Sequence, residues 1–361
     1  MPPLSPVKGE WHRRADALRP SAMRARTLLF VVVAVCGAGT GWSGESRLDL
    51  FGARPQMTAT RVPLDPDDPT RRRIGRLTFM GGVHLTSADP AFGGFSALAV
   101  VGDRVTMLSD GGNIVAFRLG GDGQLSDQRF AALPGGPATG WRKLDRDSEA
   151  LAIDPRTGAT WVAFERANQI WRYSSALRHA QASARPAAMR RWRANGGAEA
   201  LVRRRDGSFV AIEEGRAPGR PWRAGLVWAG DPTVKAEPAF RFRYLPPAGY
   251  DPADAVELPD GRLLVLNRWF GLPLRFANIL VAIDPHAIRS GAAVRGQVIA
   301  RLAAPLTHDN FEGVAASVER GRTIIWLLSD DNQTSLERTL LLKFRLDDPP
   351  RSQGGGSRVS G

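Results

Sequence analysis

Three glutamates, Glu149, Glu199 and Glu312, each sit beside a small residue at the head of an apolar run. Each run is followed, after a turn, by a second apolar run that closes on another polar residue. Asp254 and Ser96 hold the corresponding place in two further stretches, and the five recur every 50 to 58 residues. The closing residues read as Asp110, Glu165, Glu213, Asn267 and Asp330, with Asp331 and Asn332 following the last. In an antiparallel pair, the start of one strand and the end of the next lie at one edge. Both sets of residues are therefore expected at a common rim. Carboxylates crowded at one place repel unless a cation intervenes. A hard divalent ion suits an all-oxygen site, and Ca²⁺ takes about 6–8 such ligands. Ca²⁺ is the leading candidate and Mg²⁺ the second. The alternative is that the acids pair with arginine. The histidines (12, 84, 179, 286 and 308) show no zinc-like spacing.

A period near 50 residues with β-patterned units reads as a propeller, because one blade cannot cover both of its own faces. Runs such as TWVAF, SFVAI, LLVL and TIIWLL are continuously apolar, as suits strands covered on both sides. The segments DPRTG, RDG, PDG and ERG between them are hairpin turns. The expected fold is all-β, a propeller with five clear blades and spacing that leaves room for a sixth. Its ring closes by pairing the N-terminal strand from Ile74 with the C-terminal strand ending at Leu346. The segment from Ser174 to Trp192 reads as a short surface helix or a long loop. The tryptophans read as packing between blades.

Residues 74–346 form the expected domain, 44–73 a linker, and 347–361 a low-complexity tail. Arg24 and Arg26 precede an apolar stretch of about a dozen residues, too short for a bilayer span of ~20 residues and suited to an export signal over residues 1–43. Met23 is an alternative start. Cys36, the single cysteine, follows a bulky valine that argues against a lipid anchor there. The expectation is a periplasmic or secreted chain with no membrane span after processing.

The formal net charge is +13, and lysine occurs only at positions 8, 143, 235 and 343, so arginine dominates the basic residues. The arginines are spread through strands and loops rather than gathered on one face. This argues against a nucleic-acid partner and is compatible with a small anionic substrate taken by a monomer. Arg142, Lys143 and Arg268 are the candidate anion-binding residues. A serine nucleophile would need a different constellation. No G-x-S-x-G occurs, and the nearest arrangement pairs Ser96 with His308.

The ordered motifs RDSEALAID, GGAEAL, PADAVELPDGRLLVLNR and NFEGVA…LLSDDN…ERTLLLKFRL resemble the secreted bacterial proteins described as phytase-like, with esterase-like activity. The resemblance runs from about Ile74 to Leu346. It implies a β-propeller, an export signal, and hydrolysis of phosphoric or carboxylic esters. Glu149, Glu199 and Glu312 match the family's repeated acid, and Glu165, Asp330, Asp331 and Asn332 its strand-closing group. Arg268 matches a basic residue after the fourth unit's strand. Asn267 stands where a glutamate is expected and Glu337 where a glutamine is expected, so the blades differ in the charge they supply. Three readings follow: metal-assisted phosphoester hydrolysis at the rim with Glu149, Glu199, Glu312 and His308 as candidate catalytic groups; a serine- or metal-dependent carboxyl-esterase or lactonase; and a non-catalytic ligand-binding propeller.

Overall fold

The apolar runs become strands because each is sandwiched between neighbouring blades. Thr160–Phe164 and Phe209–Glu213 are buried at every position, as strands covered on both faces must be. The computed structural model describes residues 48–347 apart from 141, 216–218 and 273–274. The export signal expected over residues 1–43 and the low-complexity tail beyond residue 347 lie outside the described residues. Among the described residues, no helix is long and apolar enough to cross a membrane.

Five sheets form the blades, antiparallel apart from the parallel edge pairing of Phe240–Tyr244 with Ala293–Val294. The innermost strands are Phe95–Val101, Ser148–Ile153, Ala198–Arg203, Asp251–Glu257 and Phe311–Glu319. Each pairs with the strand that follows it. The inner strands pack against one another in chain order, and the fifth returns to the first. The ring therefore has five blades, and no sixth is present among the described residues.

Five separate apolar clusters hold the ring, each between two adjacent blades. Leu108 and Ile114 meet Phe164 and Tyr173. Trp161 meets Phe209 and Trp228, with the Trp161 and Phe209 ring centroids 4.9 Å apart. Val210 and Ile212 meet Val265 and Ile279. Leu264 and Leu280 meet Leu342 and Phe344, and Trp326 meets Met107 and Phe117. Trp161 and Trp326 are thus interblade packing groups.

Closure is the expected one. Leu77–Ser87 pairs with Leu340–Leu346, with Leu77 opposite Leu346. The linker expectation is corrected in part: Met57–Arg61, within the stretch 44–73, adds an edge strand outside Leu77–Ser87. The expectation of a helix or loop near Ser174 is also corrected. Ala180–Ala184 is the fourth strand of the second blade, flanked by single 3₁₀ turns.

Near the head of four of the five inner strands stands a small side chain. Ala97, Ala150, Ala200 and Gly313 are register-equivalent. A Cβ on Gly313 would lie 2.8 Å from the Leu98 Cβ and 3.2 Å from the Leu328 Cβ. Both are stiff parts of packed strands, so bulk there must push blades five and one apart. Gly313→Val is expected to cost about 1–3 kcal/mol, read as a lower midpoint in urea; an unchanged midpoint would contradict this packing constraint.

Candidate functional site

The inner strands carry a β-bulge near their heads, where the register skips one residue on the inner side. The skipped residues are Ser96, Glu149, Glu199 and Glu312 in blades one, two, three and five. A bulge bends the strand and re-aims the extra side chain, here at one end of the channel. In blade four the register runs Pro252–Asn267 and then Asp254–Leu266, so the skipped residue is Ala253. Asp254 instead takes the small-residue position. Its carboxylate accepts from the Val314 and Ala255 amides at 2.8 and 2.7 Å. Asp254 thus stands one residue beyond the place expected for it, and it ties blade four to blade five.

The strand-closing ring is also shifted. Backbone bonds from Asp110 to Gly94, Glu165 to Asp147, Glu214 to Gly197 and Asp330 to Asn310 are equivalent, and Arg268 faces Asp251 at the same level of blade four. The ring is therefore Asp110, Glu165, Glu214, Arg268 and Asp330. Glu213, expected in this ring, lies one residue short. It takes hydrogen bonds from Arg220 at 2.6 Å and the Ala224 amide at 3.2 Å. Asn267 matches Glu213, not the ring, and accepts from the Tyr244 hydroxyl at 2.8 Å.

Three expected ligands meet, joined by two that the sequence reading missed. Asp147, Glu149 and Glu165 each bring an oxygen within 4.8 Å of the others, and Glu165, Glu199 and Glu214 do the same. Glu165 is common to both groups. Asp147, Glu165 and Glu199 are buried. The Glu199 side chain, 8% exposed, receives no hydrogen bond among the described residues. Glu165 accepts a 3.2 Å bond from the Gly197 amide.

Cations stand on two sides of this centre. Arg268 reaches Glu214 at 3.0 Å and Asn310 at 2.9 Å, and it also pairs with Glu312. Lys143 pairs with Asp110, and Arg166 holds Asp147 at 2.8 Å. Arg142, the N-cap of the short helix Lys143–Arg146, lies near Asp145 at 3.8 Å.

Other expected site residues are committed elsewhere. Asp331 accepts from the Gly94 amide at 2.9 Å and the Thr339 hydroxyl at 2.7 Å. The Asn332 side chain donates to Glu337 at 2.8 Å. The Ser96 hydroxyl donates to the Ser148 carbonyl at 2.5 Å, while His308 Nδ1 lies 2.6 Å from the Leu306 carbonyl. No hydrogen bond joins Ser96 to His308, so the structure does not assemble that nucleophile pair.

Burial, then repulsion from Asp147, Glu165, Asp110 and Asp330, raises the Glu149 pKa well above the usual range. Burial, then Glu214, Glu149 and Glu165, does the same for Glu199, against a partial lowering by Arg268. Burial pushes Glu165 up to about 7. Burial and then Asp110 push Asp330 up to about 8. Burial works to lower the Lys143 pKa, but Asp110, Asp330 and Asp147 together raise it.

A family model described as "Phytase-like: Esterase-like activity of phytase" matches residues 90–333, which contain both rings. No curated protein matches the chain. Among solved structures, the "Kuenenia stuttgartiensis Hydrazine Synthase" aligns at a TM-score of 0.36 and 13% identity, covering 66% of this chain and 77% of that chain. A mitotic checkpoint complex gives 0.36 and 12%, over 75% and 73% of the two chains. The Myceliophteria thermophila Cps50 (Swd1) β-propeller domain gives 0.38 and 10%, over 81% and 100%. Likeness at this level says nothing about the chemistry of the rim.

The raised pKa values set the direction of a pH effect. Unfolded carboxyls titrate near pH ~4, whereas Glu165 and Asp330 hold protons up to about 7 and about 8 in the fold. The folded state therefore binds more protons between these limits, and stability falls as pH rises through them. Chelator-treated protein is expected to melt at a higher temperature near pH ~5.5 than near pH ~8. An equal or higher melting temperature at the alkaline end would show that the rim carboxylates are not strained by one another.

Proposed function

The chain belongs to the phytase-like family, and from that premise we propose that it is an exported hydrolase acting on a small anionic phosphoric ester with a divalent cation at the acid rim. The observation that carries this reading is the pair of overlapping carboxylate triads centred on Glu165. Arginine already satisfies the outer members, Asp147 and Glu214. The inner members, Glu149 and Glu199, have no ion pair among the described residues. An all-oxygen set of this kind fits Ca²⁺ first and Mg²⁺ second. Asp147, Glu149, Glu165, Glu199 and Glu214 would hold the ion. Bound there, it would supply charge neutralisation and activation of water.

The remaining roles fall to the chain's own residues. Lys143 and Arg268 flank the centre from opposite sides and can exchange a rim carboxylate for an anionic ester oxygen, with Arg268 presenting both of its terminal nitrogens. Asp330, kept protonated near neutrality by burial and by Asp110, can give its proton to a leaving oxygen. Glu312 positions Arg268. Arg142 stands farther out, near Asp145, and has no direct role in this reading. The basic and apolar leader supports a periplasmic or secreted location, and the spread of arginines along the sequence supports a chain without a nucleic-acid partner; a monomer is the state proposed with this reading.

Glu149→Gln and Glu199→Gln are expected to lower calcium affinity by roughly tenfold or more, the scale at which metal-supporting groups act. Calorimetry with calcium alone measures this. The parent chain is expected to release phosphate from para-nitrophenyl phosphate or phytate in a chelator-sensitive manner, and both variants are expected to lose that activity. Turnover of a short acyl ester indifferent to chelator would replace this reading with an esterase. Silence on every ester, with calcium-dependent melting, would leave a binding module.

A further inference from the structure

The inner strands run in the same direction around the ring, so their far ends form a second mouth. From Glu149 to Asp154 is five residues, about 16 Å at the rise of a strand. This mouth is apolar where the first is acidic. It opens into a cavity of about 490 Å³ whose wall includes Leu98, Ile153, Val202, Val256, Ala316 and Val318. Such a volume lies within the roughly 300–1,000 Å³ of small-molecule sites. Val318 is 57% exposed, so the apolar wall reaches solvent.

The turns that edge the cavity carry charge of both signs, but not in balance. Asp154 is matched by Arg203 at 3.1 Å. Glu257 is matched by Arg204 at 3.4 Å and by the Arg205 amide at 2.8 Å. Arg156 and Arg205 also line this mouth. The Arg205 guanidinium donates to the Pro259 carbonyl, and neither residue makes an ion pair among the described residues. An apolar cavity edged by two arginines that form no ion pair among the described residues matches a ligand with an alkyl body and an anionic head.

We propose that the channel mouth opposite the acid rim binds a single-chain amphipathic carboxylate, with its alkyl chain against Ile153, Val256 and Val318 and its head at Arg156 and Arg205. The acid rim is not required for this. The complementarity is twofold: apolar area for the chain, and fixed positive charge for the head. A neutral or cationic amphiphile of the same length meets only the first.

Calorimetric titration of the full chain with decanoate tests it, using decanol, decyltrimethylammonium and butyrate as comparisons. One saturable site is expected for decanoate, with butyrate and the cationic amphiphile at least roughly tenfold weaker. Arg156→Glu, at an exposed turn, is expected to weaken decanoate by about fivefold or more while leaving the melting temperature unchanged. Val318→Asp is expected to abolish binding, and Glu149→Gln at the other rim to leave it intact. The proposal is overturned by an absence of saturable binding, by equal binding of the cationic amphiphile, or by indifference to both mouth variants. Loss of binding in Glu149→Gln would assign the ligand to the acid rim instead. A dimer in sedimentation that Val318→Asp disrupts would assign the mouth to a second copy of the chain.

Discussion

Mutual repulsion among buried carboxylates is the constraint around which one face of this propeller is organised. Asp147, Glu149, Glu165, Glu199 and Glu214 crowd together, and burial makes negative charge costly at the first four. Every neighbouring element offers something against that cost. Arg166 and Arg268 hold the outer acids, Lys143 holds Asp110, and the Gly197 amide bonds to Glu165. At the centre these devices run out, and the remaining charge must be met by protons or by a cation. An arrangement that only stabilised the fold would have little reason to leave Glu149 and Glu199 without a partner.

The fold can tolerate such a face because its stability is built elsewhere. Five apolar clusters between blades, distributed around the ring, carry the burial. Each involves strands well inside the sheets, while the acids occupy bulged strand heads. The bulge connects these two facts. It ends regular pairing before the rim and turns one side chain per blade toward the channel, without disturbing the ladder below. Arg268 shows how far the blades can diverge within that frame. It takes the place filled by an acid in the other four blades, and so brings a cation into a ring of carboxylates.

The two mouths of the channel differ because the inner strands have a chemical polarity along their length. Their heads carry the bulged acids and the small residues behind them. Their far halves carry Val100, Ile153, Val256 and Val318 and end in arginine-bearing turns. One ring of similar strands thus presents an oxygen-rich surface at one end and an apolar, positively edged one at the other. Chemistry at one mouth and recognition at the other would require no separate domain.

Periodicity was enough to define five units and the pairing of the chain's two ends, because each unit repeats an apolar-run, turn, apolar-run pattern whose faces only a neighbour can cover; that the ring closes without a sixth blade was decided by the packing of the fifth inner strand on the first. The acids at bulged positions were visible for the same reason: Glu149, Glu199 and Glu312 recur at one place in the repeat. The strands Met57–Arg61 and Ala180–Ala184 escaped, since edge strands need no continuous apolar run and carry little pattern. Adjacent polar residues were the other blind spot. Glu213 and Glu214, Asn267 and Arg268, and Ala253 and Asp254 are neighbours in the chain, and a shift of one residue reverses which side of a strand a group faces. Only the register of the folded bulges decided which member of each pair meets the channel. Asp147 stands two residues before Glu149 and pairs across the hairpin with Glu165, so its place at the centre also follows from the register.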